Sequence, residues 1–135
     1  MIHNLFKEFK KFNIYLISEN TDGFLSITFY ISIKKQKYKD INDHSFSFIE
    51  YIIDIQNKDA TLLTLKTNNK YRNKGYAKKL LKESLNYLKK KKIEKIELDD
   101  MSNNAWCDHN IYIIFGFKYI NNYPEPEMIL YLINK

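Results

Sequence analysis

The amino-acid sequence predicts an α/β (α+β) fold: a mixed, mostly antiparallel sheet flanked by helices, with elements in the order β-β-β-β-α-β-α-β-β. Three observations predict it. β-branched and aromatic residues crowd the first half of the chain between turn signals. The apolar period changes to steps of three and four after residue 72. Short strand-like runs then return, and strand runs followed by α/β alternation indicate a mixed sheet, not a bundle or barrel.

Residues 1–11 place Leu5, Phe6 and Phe9 so that they line one face of a short helix; a direct lead into a strand is the alternative. Phe12 to Ser18 and Phe24 to Ile33 are strand-like, and the Asp22-Gly23 pair between them is a hairpin turn signal. Lys34 to His44 is polar and reads as a loop. Phe46 to Ile55 and Thr61 to Thr67 resume strand character around the turn Asn57-Lys58-Asp59, which completes a four-stranded meander.

From Arg72 to Lys92 the residues Ala77, Leu80, Leu81, Ser84, Leu85 and Leu88 mark one helical face, with Lys78, Lys79, Lys82, Glu83, Asn86 and Lys89 opposite. Ile93 to Leu98 alternates like a strand, and Asp99 to Asn104 breaks it. Ala105 to Phe115 suits a short helix ended by Gly116. Phe117 to Ile120 and Met128 to Ile133 are two final strands around a loop with Pro124 and Pro126.

A chain of 135 residues, 44% hydrophobic, is the size of one domain, here residues 1–135. The net charge of +6 suits an anionic partner, but the lysines are spread along the chain. The densest run, Lys89 to Lys92, complements the negative end of a helix. Cys107 is the one cysteine, so an intramolecular disulfide is excluded and a reducing, intracellular setting, the cytoplasm, is expected rather than secretion. No apolar run approaches the ~20 residues that span a bilayer, so no membrane partner is expected.

Of the 22 basic residues all but Arg72 are lysine, and Arg72 stands three places before one of only three glycines. A strand, a short polar loop and a helix beginning at Arg72 make a phosphate site, because the first helical turn presents unpaired N–H groups and the positive end of the helix dipole. Gly75 removes a side chain from the approach and Ala77 keeps the next one narrow. Neither G-x-x-x-x-G-K-[ST] nor G-x-G-x-x-G is present. The string is R-x-x-G-x-A, within Tyr71-Arg72-Asn73-Lys74-Gly75-Tyr76-Ala77-Lys78-Lys79-Leu80-Leu81.

This string resembles the [QR]-x-x-G-x-[GA] motif of the GCN5-related N-acetyltransferase (GNAT) family, flanked in the usual way by an aromatic and a leucine pair. Ile111-Tyr112-Ile113-Ile114-Phe115-Gly116-Phe117 resembles the family's L-Y-x-x-x-G-F signature, in the right order and with a strand between. The resemblance covers residues 60–133. It implies a GNAT-like sheet, acetyl-coenzyme A as acetyl donor without a metal, and direct transfer to the amine of a peptide, protein or small molecule.

The resemblance assigns the diphosphate to the turn of Arg72, Asn73, Lys74, Gly75, Tyr76, Ala77 and Lys78. It assigns the pantetheine arm to the backbone of Leu65, Lys66 and Thr67, and a further cofactor contact to Asn104, one place from the family's usual spacing. Tyr112 takes the place of the general acid: a phenol near pKa ~10 can protonate a thiolate whose conjugate acid lies near ~8.5. Packing against the sheet is the alternative role of this tyrosine, one of eleven.

The match departs from the family at two points. Where some members carry a basic glutamate this chain has Thr61, so Glu50, Asp54, Asp99 and Asp100 are the remaining acids near strand ends and no base is assigned. The hairpin Phe12 to Ile33 leaves the helices usually found between the first two strands reduced or absent, which opens the acceptor groove beside the loops 34–44 and 121–127. Asp99, Asp100, Glu125 and Glu127 are acids that would attract a cationic acceptor.

Cys107, Asp108 and His109 are adjacent but point in different directions on a helix, which argues against a metal or nucleophile site. His3 and His44 have no partner legible in the sequence. Two other classes stay open: a non-catalytic acyl-coenzyme A binding or protein-interaction module of the same fold, and a nucleic-acid binder using lysines and exposed tyrosines, which the scattered charge disfavours.

Overall fold

Period-two alternation with a tight turn signal produces the first long hairpin as expected. The computed structural model describes residues 1–33, 47–67, 74–99, 110–121 and 126–133, with only the backbone at Ile33 and Asn121. Strands β2 (Phe12–Thr21) and β3 (Phe24–Ile33) pair in unbroken register from Phe12↔Ile33 to Thr21↔Phe24. Asp22 and Gly23 close the turn at φ 48° and 86°, the doubly positive conformation that matches strand twist. No helix lies between these strands.

β4 (Ser47–Asp54) and β5 (Asp59–Thr67) extend the meander, helix α1 (Tyr76–Lys90) follows, and then β6 (Lys95–Asp99), α2 (Ile111–Ile114), β7 (Lys118–Asn121) and β8 (Glu127–Tyr131). With β1 (Ile2–Glu8) they form one eight-stranded sheet in the order β1-β2-β3-β4-β5-β6-β8-β7. Among the described strands only β5 and β6 pair in parallel, so the sheet is mixed and mostly antiparallel, as expected.

The amino terminus differs from expectation. Residues 2–8 are a strand, not a helix, so five strands precede α1. The cause is a bulge: Leu5 pairs with Tyr15 and Lys7 with Ile14, leaving Phe6 as the extra residue. Phe6 packs its ring edge-on against Phe29 (5.0 Å) and Tyr87 (5.8 Å). The bulge breaks the period of two and leaves apolar spacings that imitate a helix.

One core lies between the sheet and α1. β3 contributes Ile27, Phe29 and Ile31, β4 contributes Ile49, Tyr51 and Ile53, and α1 contributes Leu80, Leu81, Leu85 and Leu88. Each fully buried aliphatic side chain contributes roughly 1.5–3 kcal/mol. α2 sits over the same face, because Ile111, Tyr112 and Phe115 pack against this cluster.

Glu83 departs from its expected place on the polar face of α1: it is 7% exposed and takes both carboxylate contacts from Lys7 Nζ, at 2.8 and 2.9 Å. β1 covers this flank of the helix, and only a long-range contact could reveal it. Lys89 and Lys90 do fall in the last turn, where the dipole favours them. Among the described residues no helix is long and apolar enough to cross a membrane.

Candidate functional site

The turn into α1 begins at Gly75. Its φ of +84° lies in the left-handed region, so the helix starts at Tyr76 and not at Arg72. The space around Gly75 is open: an added Cβ would meet nothing within 4 Å. This glycine is therefore required by backbone conformation first, and it leaves the approach to the helix end clear.

The first intrahelical bond runs from Lys79 N–H to Gly75 C=O at 3.0 Å. The amides of Ala77 and Lys78 thus have no intrahelical acceptor. No side chain caps the turn and no acid lies in it, while Lys74 and Lys78 are exposed beside it. Partial positive charge from the helix and full charge from lysine both favour an anion here. Arg72 and Asn73 lie outside the described residues, as does Asn104.

β5 supplies the second component. Toward β4 it is paired through Thr67, and Ser47 Oγ donates to the Lys66 carbonyl at 3.1 Å. Toward β6 it pairs only at Asp59↔Lys95, Ala60↔Ile96 and Thr61↔Glu97. Beyond that point Leu98 and Asp99 of β6 keep only the pairing with Met128 and Glu127 of β8 on the opposite edge of β6. The β6-facing edge from Leu62 to Thr67 has no ladder partner among the described residues, so it offers main-chain donors and acceptors to an extended ligand. Leu65, Lys66 and Thr67 lie on this edge.

The bulge that loosens this edge is visible in the register. Glu50 pairs with Thr64 and Tyr51 with Leu62, which leaves Leu63 extra in β5. Bulges re-aim a strand and end its pairing.

Tyr112 is the second residue of α2. Asn110 caps this short helix, its Oδ1 accepting the Tyr112 N–H at 2.8 Å, and Asn110 is only 1% exposed. At the other end Phe117 N–H donates to the Tyr112 carbonyl at 3.0 Å across Gly116, whose φ is +97°. The half-buried Tyr112 ring lies edge-on to Phe117 at 5.7 Å. Sequence reasoning missed Asn110, although an asparagine just before a helix is a recognised cap signal.

Tyr51 was also missed. Its buried hydroxyl meets Ser84 Oγ at 2.8 Å, and Ser84 Oγ donates to the Leu81 carbonyl at 3.2 Å, so Tyr51 is the donor to Ser84. Burial pushes the Tyr51 phenol well above its ordinary value, the hydrogen bond to Ser84 pulls partly back, and the Tyr112 phenol adds to the upward push. Tyr51 lies within the hydrophobic core cluster and Tyr112 packs against the same cluster.

A pH dependence follows. The unfolded chain releases the Tyr51 proton near pH ~10 while the folded chain keeps it, so stability falls as pH rises above ~10. Tyr51→Phe should flatten that decline in alkaline denaturation curves and cost about 1 kcal/mol at neutral pH for the lost hydrogen bond.

Cys107, Asp108, His109 and His44 fall outside the described residues. Among the described residues no group of three or more His, Cys, Asp or Glu could hold a metal.

Residues 31–117, more than half of the chain, match the family model described as Acetyltransferase (GNAT) family. No curated protein matches the sequence. Among solved structures the chain is similar to a PaiA N-acetyltransferase from Thermoplasma acidophilum in complex with coenzyme A, with 22% identity, TM-score 0.59, and coverage of 78% of this chain and 60% of that one. It is similar to the ribosomal-protein-S18-alanine N-acetyltransferase from Escherichia coli, with 19% identity, TM-score 0.60, and coverage of 86% and 74%. Mutant forms of a spermidine/spermine N-acetyltransferase from Vibrio cholerae align with 19% identity, TM-score 0.57, and coverage of 79% and 67%. At these identities the likeness is one of fold, and the chain spans 60% of the length of the Thermoplasma protein.

Proposed function

The chain belongs to the acetyltransferase (GNAT) family, and on that footing we propose that it is an acetyl-coenzyme A-dependent N-acetyltransferase, acting by direct transfer to a primary amine. The observation that carries this reading is the parting of β5 from β6 beyond Thr61, next to an uncapped helix turn free of acids. An extended thioester ligand with a diphosphate at one end fits both features. An intracellular setting remains part of the reading.

The donor supplies an activated acetyl group. The Ala77 and Lys78 amides hold its diphosphate, with Arg72, Asn73, Lys74, Gly75 and Tyr76 completing the turn. The open edge at Leu65, Lys66 and Thr67 orients its amide arm, and Asn104 adds a contact. Main-chain donors on this edge are fixed before the reaction, so they stabilise charge on the carbonyl oxygen as it develops. Tyr112 donates a proton to the departing sulfur.

Coenzyme A release from acetyl-coenzyme A, measured with a mixture of primary amines, tests the activity. Amine-dependent release is expected. Binding of acetyl-coenzyme A without turnover for any acceptor would instead favour a non-catalytic acyl-coenzyme A binding module.

A further inference from the structure

The described helices cover only one face of the sheet. The donor turn and Tyr112 belong to that face, and the opening between β5 and β6 leads through to the other. Among the described residues no helix lies over this second face, because β2 and β3 join directly. Register fixes what it presents: Tyr15, Tyr30 and Phe48 stand opposite one another across β2, β3 and β4. Ile17, Thr28 and Glu50 form the adjacent row, which ends at Thr64 beside the bulge.

The aromatic row is held in place. Tyr15 stacks on Tyr30 at 5.2 Å and 19°, and the Tyr30 hydroxyl meets His3 Nε2 at 2.6 Å. Tyr30 is fully buried, whereas Tyr15, Ile17 and Phe48 are half-buried, so the apolar surface open to a ligand is that of these three.

Glu50 is the unusual member. It is half-buried, and among the described residues no side chain hydrogen-bonds or pairs with it. Three other carboxylates are engaged, Asp54 by Asn57 at 2.8 Å, Glu83 by Lys7 at 2.8 Å and Glu97 by Lys95 at 3.2 Å, and Glu50 is the carboxylate that stands in these two rows. Two strands face Glu50, with Thr28 on β3 and Thr64 on β5 directly across. The charged group nearest in register is Lys66, exposed and two residues along β5 from Thr64, and His3 stands three strands away on β1.

We propose that this face receives the acceptor, that Glu50 binds its ammonium and takes up a proton from it, and that the acceptor is a primary amine with one positive charge on an apolar or aromatic body. The proposal rests on the N-acetyltransferase reading above. Glu50 is the one carboxylate of these rows and can hold one ammonium, while the positive charge of Lys66 nearby disfavours a second cation. The exposed parts of Tyr15, Ile17 and Phe48 take the apolar body.

The proton balance closes. The ammonium gives one proton to Glu50, directly or through one water, and Glu50 passes it to solvent. The nitrogen lone pair forms the N–C bond as the C–S bond breaks, and Tyr112 protonates the departing sulfur. The second proton lost by nitrogen restores Tyr112.

Coenzyme A release is measured for the native chain, Glu50→Gln, Tyr15→Ala and Tyr15→Phe, with 2-phenylethylamine and with spermidine. For the native chain kcat/KM is expected to be at least ~10-fold higher with 2-phenylethylamine, the gain of an apolar contact. Glu50→Gln should lower it ~100-fold at neutral pH, and the deficit should shrink as pH approaches ~10, where the amine loses its proton unaided. Tyr15→Ala should raise KM for 2-phenylethylamine with kcat kept, and Tyr15→Phe should restore it. An acetyl-coenzyme A thermal shift in each variant reports that it is folded, and Glu50→Asp serves if Glu50→Gln is not. Equal or better use of spermidine, or a Glu50→Gln deficit that is absent or independent of pH, overturns this proposal alone. No release by the native chain with either amine or with the mixed amines overturns the N-acetyltransferase reading and this proposal with it.

Discussion

Gly75→Glu is expected to raise the dissociation constant for acetyl-coenzyme A at least ~100-fold while the protein stays folded. Two effects act together. A non-glycine residue at φ +84° carries roughly 1–2 kcal/mol of backbone strain, and the carboxylate adds negative charge where the diphosphate would bind. Open space around Gly75 means that no core contact is lost. Gly75→Asn separates the effects, since asparagine tolerates the left-handed conformation and adds no charge; it should bind within a few-fold of the native chain. Arg72→Lys should also weaken binding less than Gly75→Glu, because backbone amides carry most of the contact. Titration calorimetry distinguishes these outcomes, and equal affinity for native and Gly75→Glu proteins would move the diphosphate away from this turn.

Tyr112→Phe should reduce kcat by about 10²–10³, in the range of a lost general acid, and leave acetyl-coenzyme A affinity unchanged. The ring would keep its edge contact with Phe117 and the Asn110 cap would be undisturbed, so stability should fall by no more than ~1 kcal/mol. A kcat within twofold of native in steady-state kinetics would return Tyr112 to a packing role.

Local signals were legible where they coincided with local structure. Asp22-Gly23 turns the hairpin because both residues accept positive φ, and the spacing from Ala77 to Leu88 is the buried stripe of α1. Gly75 was legible as an important glycine, although the reason is backbone conformation rather than crowding. The direct β2–β3 connection was also legible, since no helical segment fits between Phe12 and Ile33.

What stayed hidden depends on contacts between distant segments. The bulge at Phe6 scrambles the alternation of β1, and only pairing with β2 reveals the strand. Glu83 has the spacing of a solvent-facing residue and is buried because β1 crosses that flank. The parting of β5 and β6 is set by how far their parallel register runs, which ends at Thr61↔Glu97 and which no local pattern encodes. Glu50 is one of four acids near strand ends in the sequence, and only the register places it beside the bulge, where no described side chain pairs with it.

The central claim is that the Gly75 turn and the open edge of β5 together bind a coenzyme A thioester. A thermal unfolding curve of the native chain with and without acetyl-coenzyme A tests it most directly. At one hundred times the dissociation constant the ligand should stabilise the fold by about 2.7 kcal/mol, read as a clear rise in Tm. An unchanged Tm at millimolar acetyl-coenzyme A would contradict the claim.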